Sequence, residues 1–528
     1  MTPTRGLGTV TPLVRRLTGA PDPLALYRCL TGGRADTFLL ESADRAGGTG
    51  ERSLIGIRSA LRLRANREAV TLEALSPNGD AALAWLGQIA GIQIEGRRAR
   101  VPIGRGSVGN ERDRFRQPSP LDLLRTLAFG PTLTDNPNPW CHLLAGVIGY
   151  DAIDYFERLP DGAPDPLDQP LVEWCLPDAL VVIDHVRRST TAIATAWGGP
   201  NFAERFHDGE RLLVGLEAAI SLAGSAPPAA AAPPTDAHEA HDAEVEVDQS
   251  DAEYAGTVRR LQAHVRRGDV YQVVPSRTFR MPCPDPLGAY AALRRANPSP
   301  YLFYLPGEER TLFGASPETC LRVDGASRRV SVVPIAGTAA RGRDPAGEVD
   351  ADLDGRYEVA LRHDAKESAE HLMLVDLARN DVARIAAPGT RAVTRLLDIE
   401  RYRHVMHLVS EVSGTLAPGI DALEAFAATL PMGTLVGAPK VRAAELLRES
   451  EPSRRGWYGG GVGYLRLDGT LETAIIIRSA VVHDGVASVR AGAGVVLDSD
   501  PDAEAAETRS KARAVLEAIR SVEAPVHA

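Results

Sequence analysis

Two helical stretches carry the residues most able to do chemistry. Residues 363–381, HDAKESAEHLMLVDLARND, read as one long helix in which Glu367, Glu370, His371 and Leu374 share a stripe, because residues three and four apart stack on one face. Residues 502–519, DAEAAETRSKARAVLEAI, repeat the device with Glu504, Glu507 and Lys511. Taken alone, each stripe also reads as a solvated face with helix pairs such as Glu507–Lys511. Both helices, however, carry apolar residues that must pack; in the first these are Leu372, Met373, Val375 and Leu377, so most of it is expected to be buried. If the stripes converge, like charges about 4 Å apart repel by about 4 kcal/mol at an effective dielectric of about 20. Such a cluster must be protonated, hydrated or bridged by a cation. A hard divalent ion is the simplest remedy, and Mg²⁺ takes few carboxylates while keeping waters that can meet an anionic substrate. No His/Cys set with zinc spacing competes with it.

Other segments offer anion contacts. Gly492-Ala493-Gly494 in RAGAGVVL are small enough to let backbone N–H groups approach an anion, or simply to let strands pack closely. YGGGVGYLRL runs into a strand, whereas a dinucleotide phosphate loop opens a helix, so no nucleotide is expected there. Arg478, read as mid-strand in AIIIRSAVV, needs a partner amid isoleucines: a structural ion pair, or a ligand carboxylate matched to its guanidinium fork. In MGTLVGAPKVRAAELL the Gly-Ala-Pro precedes a helix whose N-terminal amides can face an anion. By residue type alone, His407 in VMHLVSEVSG reads as a core histidine.

These residues need a scaffold. The 528 residues are 44% hydrophobic and 24% charged, a globular profile with length for two or three domains. A net charge of -10 disfavours nucleic acid and anionic membranes, and no apolar run approaches the roughly 20 residues of a span. Five scattered cysteines without a C-x-x-C pair point away from disulfides and toward a reducing, cytoplasmic compartment. The first twenty residues are expected to be a disordered N-terminus rather than a transit peptide. Residues 225–248, Pro/Ala-rich and then acidic, cannot build a core. With the helical run 202–223 before them they form a connector, 202–249, between an N-terminal region, 20–190, and a motif-dense region, 250–520. Near the C-terminus GGGVGYLRL, LETAIIIRSAVV and ASVRAGAGVVLD read as three strands joined at Asp468-Gly469 and His483-Asp484-Gly485, tight-turn signals between apolar runs. An antiparallel meander follows. The expected fold class is α+β, with large antiparallel sheets packed together and flanked by helices. Residues 54–75 and 312–333 share a strand–turn–strand pattern after a Leu-apolar-Gly start, which points to an internal duplication.

In order along the chain, LLESAD (39–44), GDVYQVVPSR (268–277), NPSPYLFY (297–304), FGASPE (313–318), PIAGTAARGR (334–343), KESAEHLMLVDLARND, VMHLVSEV, MGTLVGAPKVRA, YGGGVGY, IIIRSA and AGAGVVLDSDPDAEAAETRSKARAVL closely resemble the chorismate-utilising enzymes, and among them the large subunits of anthranilate synthases. The resemblance spans most of 20–185 and nearly all of 250–520. It implies a catalytic 250–520 region behind an N-terminal regulatory one. It implies Mg²⁺ held by Glu370 and Glu507, with Glu367 and Glu504 joining through water. The ring carboxylate of chorismate would meet the metal and the backbone of Gly492, Ala493 and Gly494. Arg478 and Tyr458 would hold the enolpyruvyl carboxylate, Gly337, Thr338, Thr434 and His407 would line the ring, and Lys511 would lie close by.

Isochorismate and salicylate synthases of this family carry a water-activating lysine where this chain has Gln272, and related aminodeoxychorismate synthases often carry an attacking lysine where it has Ala336. Both differences favour direct addition of ammonia. Glu318 is the expected general acid, since a departing hydroxide needs a proton and an apolar site keeps a Glu protonated; His407 is the expected base for the second step. The resemblance further implies anthranilate and pyruvate as products, in the first step of tryptophan biosynthesis. It implies a separate glutamine amidotransferase subunit in a heterotetramer of two large and two small subunits. Feedback inhibition by L-tryptophan would act through Glu41, Ser42, Pro300, Tyr301 and Leu302. Alternatives are a synthase of 2-amino-2-deoxyisochorismate or aminodeoxychorismate, or a tryptophan-sensing pseudoenzyme. Val436 and Leu302 depart from the serine and methionine usual in the family.

Overall fold

The computed structural model describes residues 5–42, 51–104, 114–134, 138–225, 245–344, 347–402 and 405–523. Ala43 and Asp44 of the LLESAD motif and residues 226–244 of the Pro/Ala-rich connector lie outside them.

Alternation across each strand decides what the sheets bury. In Val486–Gly492, residues Ala487, Val489 and Ala491 pack with Ala512, Val515 and Ile519 of the helix Pro501–Glu523, and Ser488 and Arg490 take the other face. Nearly every ladder is antiparallel; the exception pairs Thr9–Thr18 with Thr132–Leu133. From Phe38–Glu41 the order runs through Arg52–Ala65, Val172–Asp184 and Ser189–Trp197 to Thr9–Thr18. From its other neighbour, Tyr301–Pro306, it runs through Arg310–Ser316, Ser479–His483 and Val486–Gly492 to Ser276–Pro282. The two arms repeat one plan, and each is backed by two helices: Pro23–Thr31 with Phe202–Ser225, and Pro286–Ala296 with Pro501–Glu523. The sequence echo between 54–75 and 312–333 falls on equivalent strands of these arms. The result is the α+β, helix-flanked antiparallel fold expected from the sequence.

The arms differ where it matters. Arg52–Ala65 and Val172–Asp184 are continuous strands of 14 and 13 residues. Their counterparts are each cut in two, Arg310–Ser316 from Thr319–Asp324 and Leu471–Ile475 from Ser479–His483. LETAIIIRSAVV is therefore two strands, and Arg478 is not mid-strand: it sits at the break with a positive φ of 50°. Hydrogen bonds lace the two cuts together, from Ile475 N–H to Glu318 O at 3.0 Å and from Ala315 N–H to Arg478 O at 3.1 Å. Glu318 and Arg478 are thereby lifted out of the ladders at adjacent points.

Two further readings change. The N-terminus is not unstructured, because Thr9–Thr18 forms a long ladder with Ser189–Trp197, its side chains packing on a helix-backed sheet. The helix Ala365–Ile385 buries His371, Leu374, Val375 and Ala378 but leaves Leu372 47% exposed, so it packs along one face only. Its far end is fixed by a buried pair, Lys440 Nζ to Asp381 at 2.7 Å, with Thr429 O accepting a second bond at 2.8 Å. Asp381→Ala, which strands the lysine charge, is expected to cost about 3–5 kcal/mol in urea unfolding. Asp381→Leu/Lys440→Met should recover most of that loss.

Candidate active site

Glu318 occupies the first strand break, 7% exposed, beside Thr434, Arg478 and Lys511. Burial pushes its carboxyl up to about 8, against the opposing pull of Thr434 and the two cations. It is therefore protonated at neutral pH and able to donate. The Thr434 hydroxyl, in the turn Gly433–Val436, is buried without a hydrogen bond of ordinary geometry.

Arg478, at the second break, makes no ion pair or hydrogen bond through its guanidinium with another described residue. A guanidinium left without a carboxylate partner in a largely buried place is suited to a carboxylate ligand. Tyr458 stands near it, its hydroxyl close to Gly492. Lys511 donates to Gly492 O at 2.9 Å and pairs with Glu507 at 2.6 Å. Of the small triplet, Ala493 has already spent its N–H on Pro275 O and the Tyr254 hydroxyl, whereas Gly494 N–H has no such bond among the described residues. Gly494 also leaves room for the Gln272 amide, which a Cβ there would approach to 2.8 Å, and Gln272 Oε1 is buried and unpartnered.

A scaffold that sequence reasoning missed holds this corner. Arg455 binds Glu451 at 2.9 Å and donates to Val274 O at 2.6 Å and Leu435 O at 2.5 Å, while lying over the rings of Tyr150 and Tyr458. Burial would raise the Glu451 carboxyl, but Arg455 and Arg490 together hold it below its ordinary value. Both residues lie beyond the helix Lys440–Ser450, with Pro452 between them, so no helical spacing marked the pair or its convergence on Tyr458.

The opposite wall is the strand pair Ile335–Ala340 and Val405–Thr415. Thr338 Oγ1 and His407 Nδ1 share a hydrogen bond of 2.9 Å. Burial, with Arg478 nearby, pushes the His407 imidazole down to about 4. It is neutral at pH 7 and can accept a proton. Gly337 at φ +77° is close-packed, with a Cβ there meeting Leu408 at 2.9 Å and Glu367 at 3.3 Å. His371, in contrast, is a core residue bonded to Ser410 at 2.7 Å.

The two acidic stripes lie near enough to feel one another's charge. Burial raises the carboxyls of Glu367, Glu370 and Glu504, and Glu507 raises all three further. Glu504 Oε2 is buried without a hydrogen-bond partner. Among the described residues no three metal-ligating side chains stand close enough to enclose an ion unaided. The donor set fits a cation that keeps much of its water, not one caged by protein.

A separate cavity of about 160 Å³ lies at the seam between the arms, and Glu41, Ser42, Pro300, Tyr301 and Leu302 all line it. The Glu41 carboxylate is committed to Tyr290 and to Arg294 at 2.9 Å, while the Ser42 hydroxyl is buried and unpartnered. Trp140, Arg322, Tyr464 and Glu472 also line it; they come from elements distant in sequence and carried no local signal.

The pattern of chorismate binding enzymes matches residues 92–517. The chain belongs to that family. It is 45% identical over 503 residues to anthranilate synthase component 1 of Vibrio cholerae serotype O1, and 46% identical over 508 residues to that of Escherichia coli K12, each match covering 94% of both chains. Among solved structures it resembles anthranilate synthase component I from Streptococcus pneumoniae, with a TM-score of 0.66, 27% identity and coverage of 88% of this chain and 92% of that one. The menaquinone-specific isochorismate synthase of Escherichia coli shares the fold at 18% identity and a TM-score of 0.63, covering 97% and 95%. No helix among the described residues is long and apolar enough to cross a membrane.

Proposed function

We propose that this chain is the large subunit of an anthranilate synthase, converting chorismate and ammonia to anthranilate, pyruvate and water. The observation that carries the chemistry is Glu318, a protonated carboxyl buried between Arg478 and Lys511. Arg478 and Tyr458 grip the enolpyruvyl carboxylate. Ammonia forms a bond to ring C2, the two double bonds shift, and the C4 hydroxyl departs as water with the proton of Glu318. The acceptor oxygen of Gln272 is neutral and unpartnered, suited to orienting a nucleophile that needs no deprotonation. His407, uncharged and steadied by Thr338, then takes the C2 proton; the C3–O bond breaks, pyruvate leaves as its enolate and is protonated, and the ring becomes aromatic.

Glu370 and Glu507, with Glu367 and Glu504 through water, would hold Mg²⁺, which when bound supplies positive charge to the ring carboxylate. A separate glutamine amidotransferase subunit supplies ammonia, in a cytoplasmic assembly of two large and two small chains. L-tryptophan inhibits from the seam cavity. Ser42→Ala, removing the unpartnered hydroxyl there, should raise the tryptophan concentration for half-inhibition roughly three- to tenfold and leave the uninhibited rate within twofold of wild type (about 0.4 kcal/mol). Inhibition curves with and without the substitution measure this.

An assay with chorismate, ammonium chloride and Mg²⁺, with and without tryptophan, tests the whole reading. A fluorescent aromatic acid with release of pyruvate supports it. A product that retains the enolpyruvyl group identifies an aminodeoxy-type synthase instead, and tight tryptophan binding without turnover identifies a sensor.

A further inference from the structure

Glu318 and Thr319 are consecutive residues at the strand break, Glu318 in the bend and Thr319 opening the strand Thr319–Asp324. Glu318 lies among Thr434, Arg478 and Lys511. Thr319 Oγ1 is instead hydrogen-bonded at 2.8 Å to the hydroxyl of Tyr301, whose ring lines the seam cavity. That hydroxyl also accepts from Arg322 Nη2 at 3.0 Å, and Arg322 pairs with Glu472 at 3.1 Å, so Tyr301 is anchored from two sides. Backbone pairing is irregular here: Ile475 N–H donates to Glu318 O at 3.0 Å and Thr319 pairs with Ala474, but the register slips before Leu321. Side-chain bonding therefore supplements backbone pairing in fixing the peptide that carries Glu318. Anything filling the cavity against Tyr301 stands one hydroxyl and one peptide unit from the proton donor.

We propose that Thr319 is a positioning residue for Glu318, and that the Tyr301–Thr319 hydrogen bond carries the effect of a ligand in the seam cavity to the catalytic carboxyl. The second half rests on the tryptophan reading above; the first does not. Thr319 lines neither the cavity nor the chorismate site, so Thr319→Val removes the bond while keeping shape, and Thr319→Ser keeps the bond.

The test measures kcat and KM for chorismate with ammonium chloride, and L-tryptophan binding by calorimetry, on the full chain and both variants. Thr319→Val is expected to lower kcat roughly three- to tenfold with KM nearly unchanged, and Thr319→Ser to restore it. Thr319→Val should also bind tryptophan as wild type does, yet lose most of its inhibition. A wild-type kcat in Thr319→Val, or a loss that serine does not restore, overturns the positioning role. Full inhibition of Thr319→Val at normal tryptophan affinity overturns the relay. If the wild type binds no tryptophan, the inhibitor reading and the relay fall together, and the serine rescue still decides the positioning role.

Discussion

Glu318→Gln is expected to lower kcat by roughly 10²- to 10⁴-fold, the usual worth of a positioned general acid, with a much smaller change in KM for chorismate. Glutamine keeps the shape and the polarity but holds no transferable proton. The pH dependence gives a sharper check. With its carboxyl pushed up to about 8, Glu318 is protonated through neutral pH and loses the proton as pH rises through that value. The wild-type rate should therefore fall on the alkaline side near pH 8, and the residual rate of Glu318→Gln should lack that limb. Stability falls over the same rise in pH as the rate. A carboxyl whose folded value lies above its unfolded one stabilises the fold fully below the unfolded pKa, and that contribution is lost as pH rises through the folded pKa. Glutamine carries no such penalty, so the variant should melt at or above the wild-type temperature at pH 8. A variant that keeps wild-type kcat would remove Glu318 from the acid role.

Glu370→Ala and Glu507→Ala are each expected to reduce Mg²⁺-dependent turnover by roughly a thousandfold or more, as loss of a carboxylate from a metal site that neutralises substrate charge should. Each should leave the fold intact or slightly firmer. Glu507 raises Glu367, Glu370 and Glu504 alike, and thinning such a cluster relieves repulsion among its like charges. Calorimetric titration with Mg²⁺ in the presence of chorismate supplies a readout independent of rate: wild type should show saturable metal binding and both variants should not. Near-normal turnover by either variant in the presence of chelator would reject the metal assignment. Glu507→Ala also frees Lys511 from its 2.6 Å pair, so Glu507→Gln is the companion that separates lost charge from lost packing.

Much of this was legible in the chain. The E-x-x-E stripes of Glu367/Glu370 and Glu504/Glu507 follow from helical periodicity, which is local. Asp468-Gly469 and Asp484-Gly485 announced their hairpins because only a few residue types adopt the turn conformations those links need. Arg478 stood out as a charge in apolar company, and Glu318 entered through the family resemblance of its SPE motif. What misled was continuity: AIIIRSAVV is an unbroken apolar run around one charge, yet the strand ends at Ile475 and resumes at Ser479, with Arg478 at a positive φ that no strand pattern marks. The N-terminal strand was missed because a sequence rich in arginine and threonine shows no apolar alternation, and its pairing with Ser189–Trp197 is contributed from far along the chain.

The sequence by itself determined which residues could do chemistry, the helices and hairpins that carry them, and the family to which the chain belongs. The first two follow from residue type and from spacings within one turn or one strand, and the family from the resemblance of ordered motifs along the chain. Only the tertiary structure decided how they meet. It set the two strand breaks side by side, brought the stripes of Ala365–Ile385 and Pro501–Glu523 within range of one another's charge, and placed Gln272 against Gly494. It also put Tyr301 within reach of the residue that follows Glu318. Each of these contacts joins segments separated by many residues, and no local periodicity encodes them; they arise because two repeated arms of sheet must bury their apolar faces together.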